Sequence, residues 1–106
     1  MEVKWSTEAL GDLRRIYIQH SFKSRKAAQR ICAQILSEAN ILINHPMAGK
    51  KEPSLKNRVH LYRSLVTKIH NYKLVYYVED NLVRIICVWD CRRNPGELYK
   101  MLTTNK

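Results

Sequence analysis

Hydrophobic residues in the first half of the chain recur with the period of a helix. After Ser6, a residue type that caps helices, one apolar stripe predicts a helix that ends near His20; its members are Leu10, Leu13, Ile16 and Tyr17. A second stripe starts after Ser24 and predicts a helix to about Asn44, closed by Pro46; its members are Ala28, Ile31, Ile35, Ala39 and Leu42. Because only a few residues join the two helices, we expect them to pack as a hairpin.

In the second half of the chain the hydrophobic period changes to two, which is typical of strands. The strand-like runs are Arg58–Val66, Tyr72–Glu79 and Leu82–Asp90, and the short segment Glu2–Trp5 alternates in the same way. In the last run one apolar face is predicted to comprise Val83, Ile85, Cys87 and Trp89. Since its other face is apolar too, we expect this strand to lie inside the sheet, with neighbours on both sides.

The remaining segments complete a β-α-α-β-β-β order. The punctuated stretch His45–Asn57 is predicted to be a loop, and Glu97–Leu102 to form a short C-terminal helical turn. Helices in one block followed by strands in another indicate an α+β fold. We therefore predict a single domain over residues 1–106, with a helical hairpin on one face of a mainly antiparallel four-stranded sheet. Its other face is expected to be open for function.

Charge narrows the classes of partner. The chain holds 19 Lys and Arg against 9 Asp and Glu, a net charge of +10 over 106 residues. Between Arg14 and Arg30 there are six basic residues and no acid, and the block from Lys50 to Lys73 contains one acid, Glu52. Such segregation attracts polyanions, which include nucleic acids and acidic protein segments.

Other features exclude several classes of site. An odd number of cysteines does not suit a closed disulfide framework, and Cys87-x-x-x-Cys91 fits no usual zinc spacing, so we expect no metal. There is no phosphate loop or nucleophile elbow, and we expect no cofactor. No apolar run reaches the length of a membrane helix and no signal peptide opens the chain, so we expect a cytoplasmic protein without a membrane partner.

Five strings, in this order, resemble the RelE/ParE superfamily of toxins from type II toxin–antitoxin, or plasmid stabilisation, systems. They are Trp5–Leu13, His45–Gly49, Tyr62–Val66, Tyr72–Val78 and Val88–Pro95. The second contains the Pro-x-x-Gly pattern that follows the second helix in this superfamily, and the last ends in Arg-Arg-Asn-Pro. Together they span nearly the whole chain and look nearer to the ParE-like branch than to the RelE-like branch.

The resemblance implies a growth-inhibiting toxin that a cognate acidic antitoxin neutralises in a heteromeric complex. The antitoxin would lie across the helical hairpin and the sheet. ParE-like members poison DNA gyrase, whereas RelE-like members cleave messenger RNA on the ribosome, which leaves open whether this chain is an enzyme. The basic residues expected to bind the antitoxin or the target are Arg14, Arg15, Arg30, Arg58 and Arg92.

If the chain is RelE-like, the resemblance also implies catalytic residues. RNA cleavage needs an acid, a base and cations that stabilise the charged phosphorane. The positions that match are Arg63, Lys73, Arg93 (or its neighbour Arg92) and Tyr99. A further lysine of the RelE-like pattern falls on Leu65, which cannot serve, and this departure favours the ParE-like branch.

Each candidate also has a structural interpretation. Arg63 could pair with Asp90 inside the sheet, Lys73 could be a solvated strand residue, and Tyr99 could pack in the terminal turn. Charge alone supports a third function, a basic nucleic-acid-binding module without toxicity. The sequence thus leaves three functions open: gyrase poison, ribonuclease and nucleic-acid-binding module.

Overall fold

The computed structural model describes residues 1–52, 60–69 and 71–104. Its elements are β1 (Glu2–Trp5), α1 (Thr7–Ser21), α2 (Arg25–Ala39), α3 (Ile41–Asn44), β2 (Lys50–Lys51), β3 (Arg63–Val66), β4 (Tyr72–Glu79), β5 (Leu82–Asp90) and α4 (Pro95–Thr104). The α+β class and the order of helices before strands are therefore confirmed. Within the described ranges, no helix is both long and apolar enough to span a membrane.

The helix starts were predicted correctly, and the second helix end was not. Ser6 Oγ accepts a hydrogen bond from the backbone N–H of Ala9 at 3.0 Å, and Ser24 Oγ accepts one from Ala27 at 3.1 Å. The predicted helix to Asn44 is broken at Asn40 into α2 and α3. There the N–H of Ile43 donates to the carbonyl of Asn40, three residues back, a tighter turn than the α-helix allows.

Among the residues that the structure describes, the sheet has five strands in the order β1-β5-β4-β3-β2, one more than predicted. The extra strand is β2, which pairs antiparallel with β3 and lies in the segment predicted to be a loop. Two residues are too few to show a period of two, so the pattern could not reveal this strand. β1 pairs parallel with β5, and β5 has β1 and β4 on its two sides, which confirms its internal position. Within the described residues, β3 begins at Arg63 rather than at Arg58, which lies outside them.

A β-bulge in β5 divides its apolar residues between two faces of the sheet. Val75 of β4 pairs with Cys87 and Tyr76 pairs with Ile85, so that Ile86 is the extra residue. Val83 and Ile85 consequently pack toward the helical hairpin, whereas Cys87 and Trp89 pack on the opposite face. The prediction that all four share one face is wrong because an inserted residue reverses the alternation.

Helix α1 holds this bulge in place through two side chains. The carboxylate of Asp12 accepts a hydrogen bond from the backbone N–H of Val88 at 3.0 Å. Ser6 Oγ donates to the carbonyl of Ile86 at 3.3 Å. Ile86 and Val88 lie beyond Ile85, the last β5 residue in register with β1, so these two contacts give the start of α1 hydrogen bonds to the backbone of β5 at and just after the bulge.

The sheet carries a core on each face. The first, beneath the hairpin, is built from residues such as Ala9, Ile16, Ile31, Ile35, Leu74 and Ile85. Leu10, predicted to belong to this core, is instead exposed, and Ala9 takes the buried position. The second core comprises Tyr62, Val75, Cys87, Trp89 and Leu98.

Helix α4 covers part of the face that was expected to be open. It spans ten residues rather than a single turn, and its Leu98 is fully buried against Trp89 and Cys87. Asn94 Oδ1 accepts a hydrogen bond from the N–H of Gly96 at 2.9 Å, and Pro95 occupies the first helical position, where its missing N–H costs nothing. The second face is therefore partly a core, and only the rest of it is open.

Candidate functional site

Arg63 lies on the sheet face that packs against the hairpin. It pairs across strands with Tyr76, and its Nη1 donates to the carbonyl oxygen of Gly49 at 2.9 Å. The interpretation that Arg63 pairs with Asp90 is wrong, since Asp90 binds Arg92 instead. The guanidinium of Arg63 therefore binds the loop that precedes β2.

Tyr76 completes this attachment of the loop to the sheet. Its hydroxyl donates to the carbonyl of Pro46 at 2.7 Å and accepts from the N–H of Gly49 at 2.9 Å. Burial raises the pKa of Tyr76 above its ordinary value. The Pro-x-x-Gly string thus has a structural role here, because its first and last residues supply both partners of a buried phenol.

Lys73 lies on the opposite face of the sheet and is not a solvated residue. Its Nζ is 2.8 Å from Glu52 Oε2, and the two side chains are 16% and 3% exposed. The neighbouring strand residue in register is Trp89, which belongs to the second core. A largely buried ion pair of this kind is a structural feature that depends on both partners.

The remaining RelE-like candidates lie around α4. The guanidinium of Arg93 is 4.3 Å from the ring centroid of Trp89, and its Nη2 is 3.2 Å from Glu97 Oε2. Tyr99 is exposed and follows the buried Leu98 by one residue. Arg63 is therefore on one face of the sheet and Lys73 on the other, so the structure does not bring the four predicted catalytic residues together.

A shallow cleft of about 160 Å³ lies between α1 and the adjoining ends of β4 and β5. Its lining residues are Asp12, Arg15, Ile16, Gln19, Tyr72, Val88, Asp90 and Arg93. The charges in it are paired: Arg15 binds Asp12, and Arg92 beside the cleft binds Asp90 through Nε and Nη2. This hydrogen bond from Arg92 lowers the pKa of Asp90.

Neither Tyr72 nor Tyr76 is suited to act as a base. Tyr72 Oη lies 3.0 Å from His20 Nε2, and burial raises the pKa of Tyr72, as it does that of Tyr76. A general base at neutral pH needs its pKa shifted toward 7, which for tyrosine is downward. Across the described ranges, no group of three or more His, Cys, Asp and Glu residues could hold a metal ion.

The outer surface of α1 carries a row of exposed residues four positions apart, here called the α1 stripe: Leu10, Arg14, Ile18 and Phe22. Its apolar members are 51%, 46% and 86% exposed. The basic block predicted Arg14 and Arg15 as binding residues, and both are exposed, Arg15 beside Asp12. The apolar part was missed because Leu10 was assigned to the core, although its spacing to Ile18 and Phe22 signals a common outer face.

The other predicted binding residues are distributed elsewhere. Arg30 is exposed on α2, Arg92 is exposed but bound to Asp90, and Arg58 lies outside the described residues. Of the candidates that the structure describes, Arg15 and Arg92 both adjoin the cleft at the ends of β4 and β5, whereas Arg30 lies on α2. Arg14 on α1 and Arg30 on α2 share the helical hairpin, whereas Arg92 follows β5.

Comparisons with known proteins bear on this arrangement. The family model described as the ParE toxin of the type II toxin–antitoxin system, parDE, matches residues 3–95. A chain from a solved structure of a chromosomal ParDE system of P. aeruginosa is similar in fold, with a TM-score of 0.71 and 19% sequence identity. The similarity covers 83% of this chain and 92% of that chain. No curated protein matches the sequence.

Proposed function

This chain belongs to the ParE toxin family of type II toxin–antitoxin systems, and from that premise we propose that it binds and poisons DNA gyrase. The observation that supports this target over messenger RNA is the separation of Arg63 from Lys73 by the sheet. A phosphorane needs cations and a base within hydrogen-bond reach of one phosphate. Here Arg63 binds Gly49 on one face of the sheet, and Lys73 binds Glu52 on the other.

The substitution Tyr99→Phe distinguishes the two targets in cells. We expect the variant to inhibit growth as strongly as the unchanged chain, because a gyrase poison does not need a phenolic proton at this exposed position. Primer extension would show intact messenger RNA, and gyrase-linked DNA breaks would be unchanged. Tyr17→Phe on α1 is the matched control. Rapid messenger RNA cleavage that Tyr99→Phe abolishes and Tyr17→Phe does not would identify a ribonuclease.

We also propose that an acidic antitoxin docks on the α1 stripe. An amphipathic segment would bury its apolar residues against Ile18 and Phe22 while its carboxylates face Arg14 and Arg15. The net charge of +10 favours such a partner, which is expected to order as it binds. Arg15 and Arg92 contribute less to this contact than Arg14, since Asp12 and Asp90 already bind their guanidinium groups.

The substitution Ile18→Glu tests this docking surface. A carboxylate at the centre of the stripe would face an acidic partner and lose apolar contact, so we expect the dissociation constant to rise at least about tenfold. Titration calorimetry with the cognate antitoxin measures this. Met47→Glu makes the same change in charge at another exposed apolar residue and should leave affinity within about threefold. Equal affinities for the two variants would place the antitoxin elsewhere.

A further inference from the structure

Four cations crowd the tip of the helical hairpin and the first two turns of α2. This α2 basic cluster comprises Lys23, Arg25, Lys26 and Arg30, and all four side chains are exposed. The ion pairs found among the described residues involve none of them. No acid occurs between Arg14 and Arg30, so the cluster's positive potential is not neutralised locally.

The α2 basic cluster destabilises helix α2, on which it lies. The first turn of α2 contains no acid, and Arg25 and Lys26 lie at the end where the helix dipole is positive. Lys26 and Arg30 are four residues apart, the spacing at which like charges on a helix repel. In α1, by contrast, the first turn holds Glu8. A bound polyanion would relieve both repulsions.

The residues around the cluster indicate which class of polyanion, an acidic protein segment or a nucleic acid, would bind there. Every exposed residue from Lys23 to Arg30 is polar, so a protein segment would find no apolar contact within the cluster itself, in contrast to the α1 stripe. A phosphate backbone needs only cations. The adjoining aromatic side chain, Phe22, is a single ring and does not provide the successive stacking platforms typical of sites for single strands.

We propose that the α2 basic cluster binds the phosphate backbone of double-stranded DNA without sequence preference. This activity is separate from gyrase inhibition and would hold on any long duplex. Four phosphate contacts predict a slope of about −3.6 in the logarithm of the association constant against the logarithm of salt concentration. The affinity would then fall roughly a hundredfold between 50 and 200 mM salt.

Fluorescence anisotropy with a labelled duplex of about 20 base pairs tests the proposal on the full chain. The cluster variant carries Lys23→Gln, Arg25→Gln, Lys26→Gln and Arg30→Gln. The control variant carries Lys4→Gln, Lys50→Gln, Lys51→Gln and Arg84→Gln, four exposed cations on other elements, so both variants lose the same charge. We expect the cluster variant to lose at least about tenfold in affinity and most of its salt dependence, and the control to change less than about threefold.

Several outcomes would overturn the proposal. Equal weakening in both variants would mean that net charge alone attracts DNA. Tighter binding of a single-stranded oligonucleotide than of the duplex would assign the cluster to unpaired nucleic acid. Absence of binding by the unchanged chain at 50 mM salt would exclude the activity. Circular dichroism checks folding, and if the quadruple variant is unfolded, Lys26→Gln and Arg30→Gln measured singly should each lower the salt slope by about one.

Discussion

Replacing Gly49 by alanine is expected to lower the free energy of unfolding by about 3 kcal/mol, the upper end for overpacking a core. A Cβ at this position would lie 2.7 Å from the Tyr76 ring and hydroxyl and 2.8 Å from the Ser64 carbonyl oxygen. The strand of Ser64 cannot retreat without breaking its pairing with β4. Tyr76 would have to move, and it would lose its hydrogen bonds to Gly49 and Pro46.

Gly11→Ala provides the matched control, because it is the same change within α1. The nearest atom to a Cβ there is Arg15 Nη1 at 3.7 Å, an ordinary contact. Since alanine favours a helix over glycine, this variant should be more stable by about 0.5–1 kcal/mol. Urea denaturation at neutral pH compares both variants with the unchanged chain. A Gly49→Ala protein as stable as the unchanged chain would show that the loop can move away from Tyr76.

Replacing Lys73 by methionine is expected to cost about 3 kcal/mol, because it leaves a buried carboxylate without its cation. Glu52 is only 3% exposed, so water cannot replace the ammonium group at its Oε2. The variant should be less stable in urea at neutral pH. It should lose toxicity only to the extent that it unfolds.

A second substitution separates a structural role from a functional one. The double variant Lys73→Met, Glu52→Leu lacks both the ammonium group and the carboxylate. Its free energy of unfolding should return to within about 1 kcal/mol of that of the unchanged chain. Toxicity should return with it. A double variant that is folded but not toxic would instead assign Lys73 a direct contact with the target, and a stable single variant would contradict the structural role.

Local sequence patterns were sufficient to predict those helices and strands whose determining residues lie within a few positions of one another. Ser6 and Ser24 cap the helices that follow them, because the capping bond joins residues three apart. The strand runs in β4 and β5 agree with the structure to the residue. β2 and the bulge at Ile86 depend on pairing partners distant in the chain, so no local period reveals them.

The candidate site was harder to predict than the fold for a related reason. Arg63, Lys73 and Arg93 were predicted as catalytic cations from the resemblance to RelE-like toxins. Their environment is set by Gly49, Glu52 and Trp89, which the sequence places up to 21 residues away. The bulge also determines which face each β5 residue occupies. The basic residues along α1 and α2 could be identified from the sequence alone, because the positive charge of an exposed side chain does not depend on a distant partner.

The most direct test of gyrase poisoning is a cleavage assay with the purified chain, DNA gyrase, ATP and plasmid. We predict that linear DNA, trapped as a gyrase–DNA complex by detergent and released by protease, accumulates in proportion to the chain added. The cognate antitoxin should suppress it. Unchanged gyrase activity, together with cleavage of ribosome-bound messenger RNA by the same preparation, would contradict the proposed target.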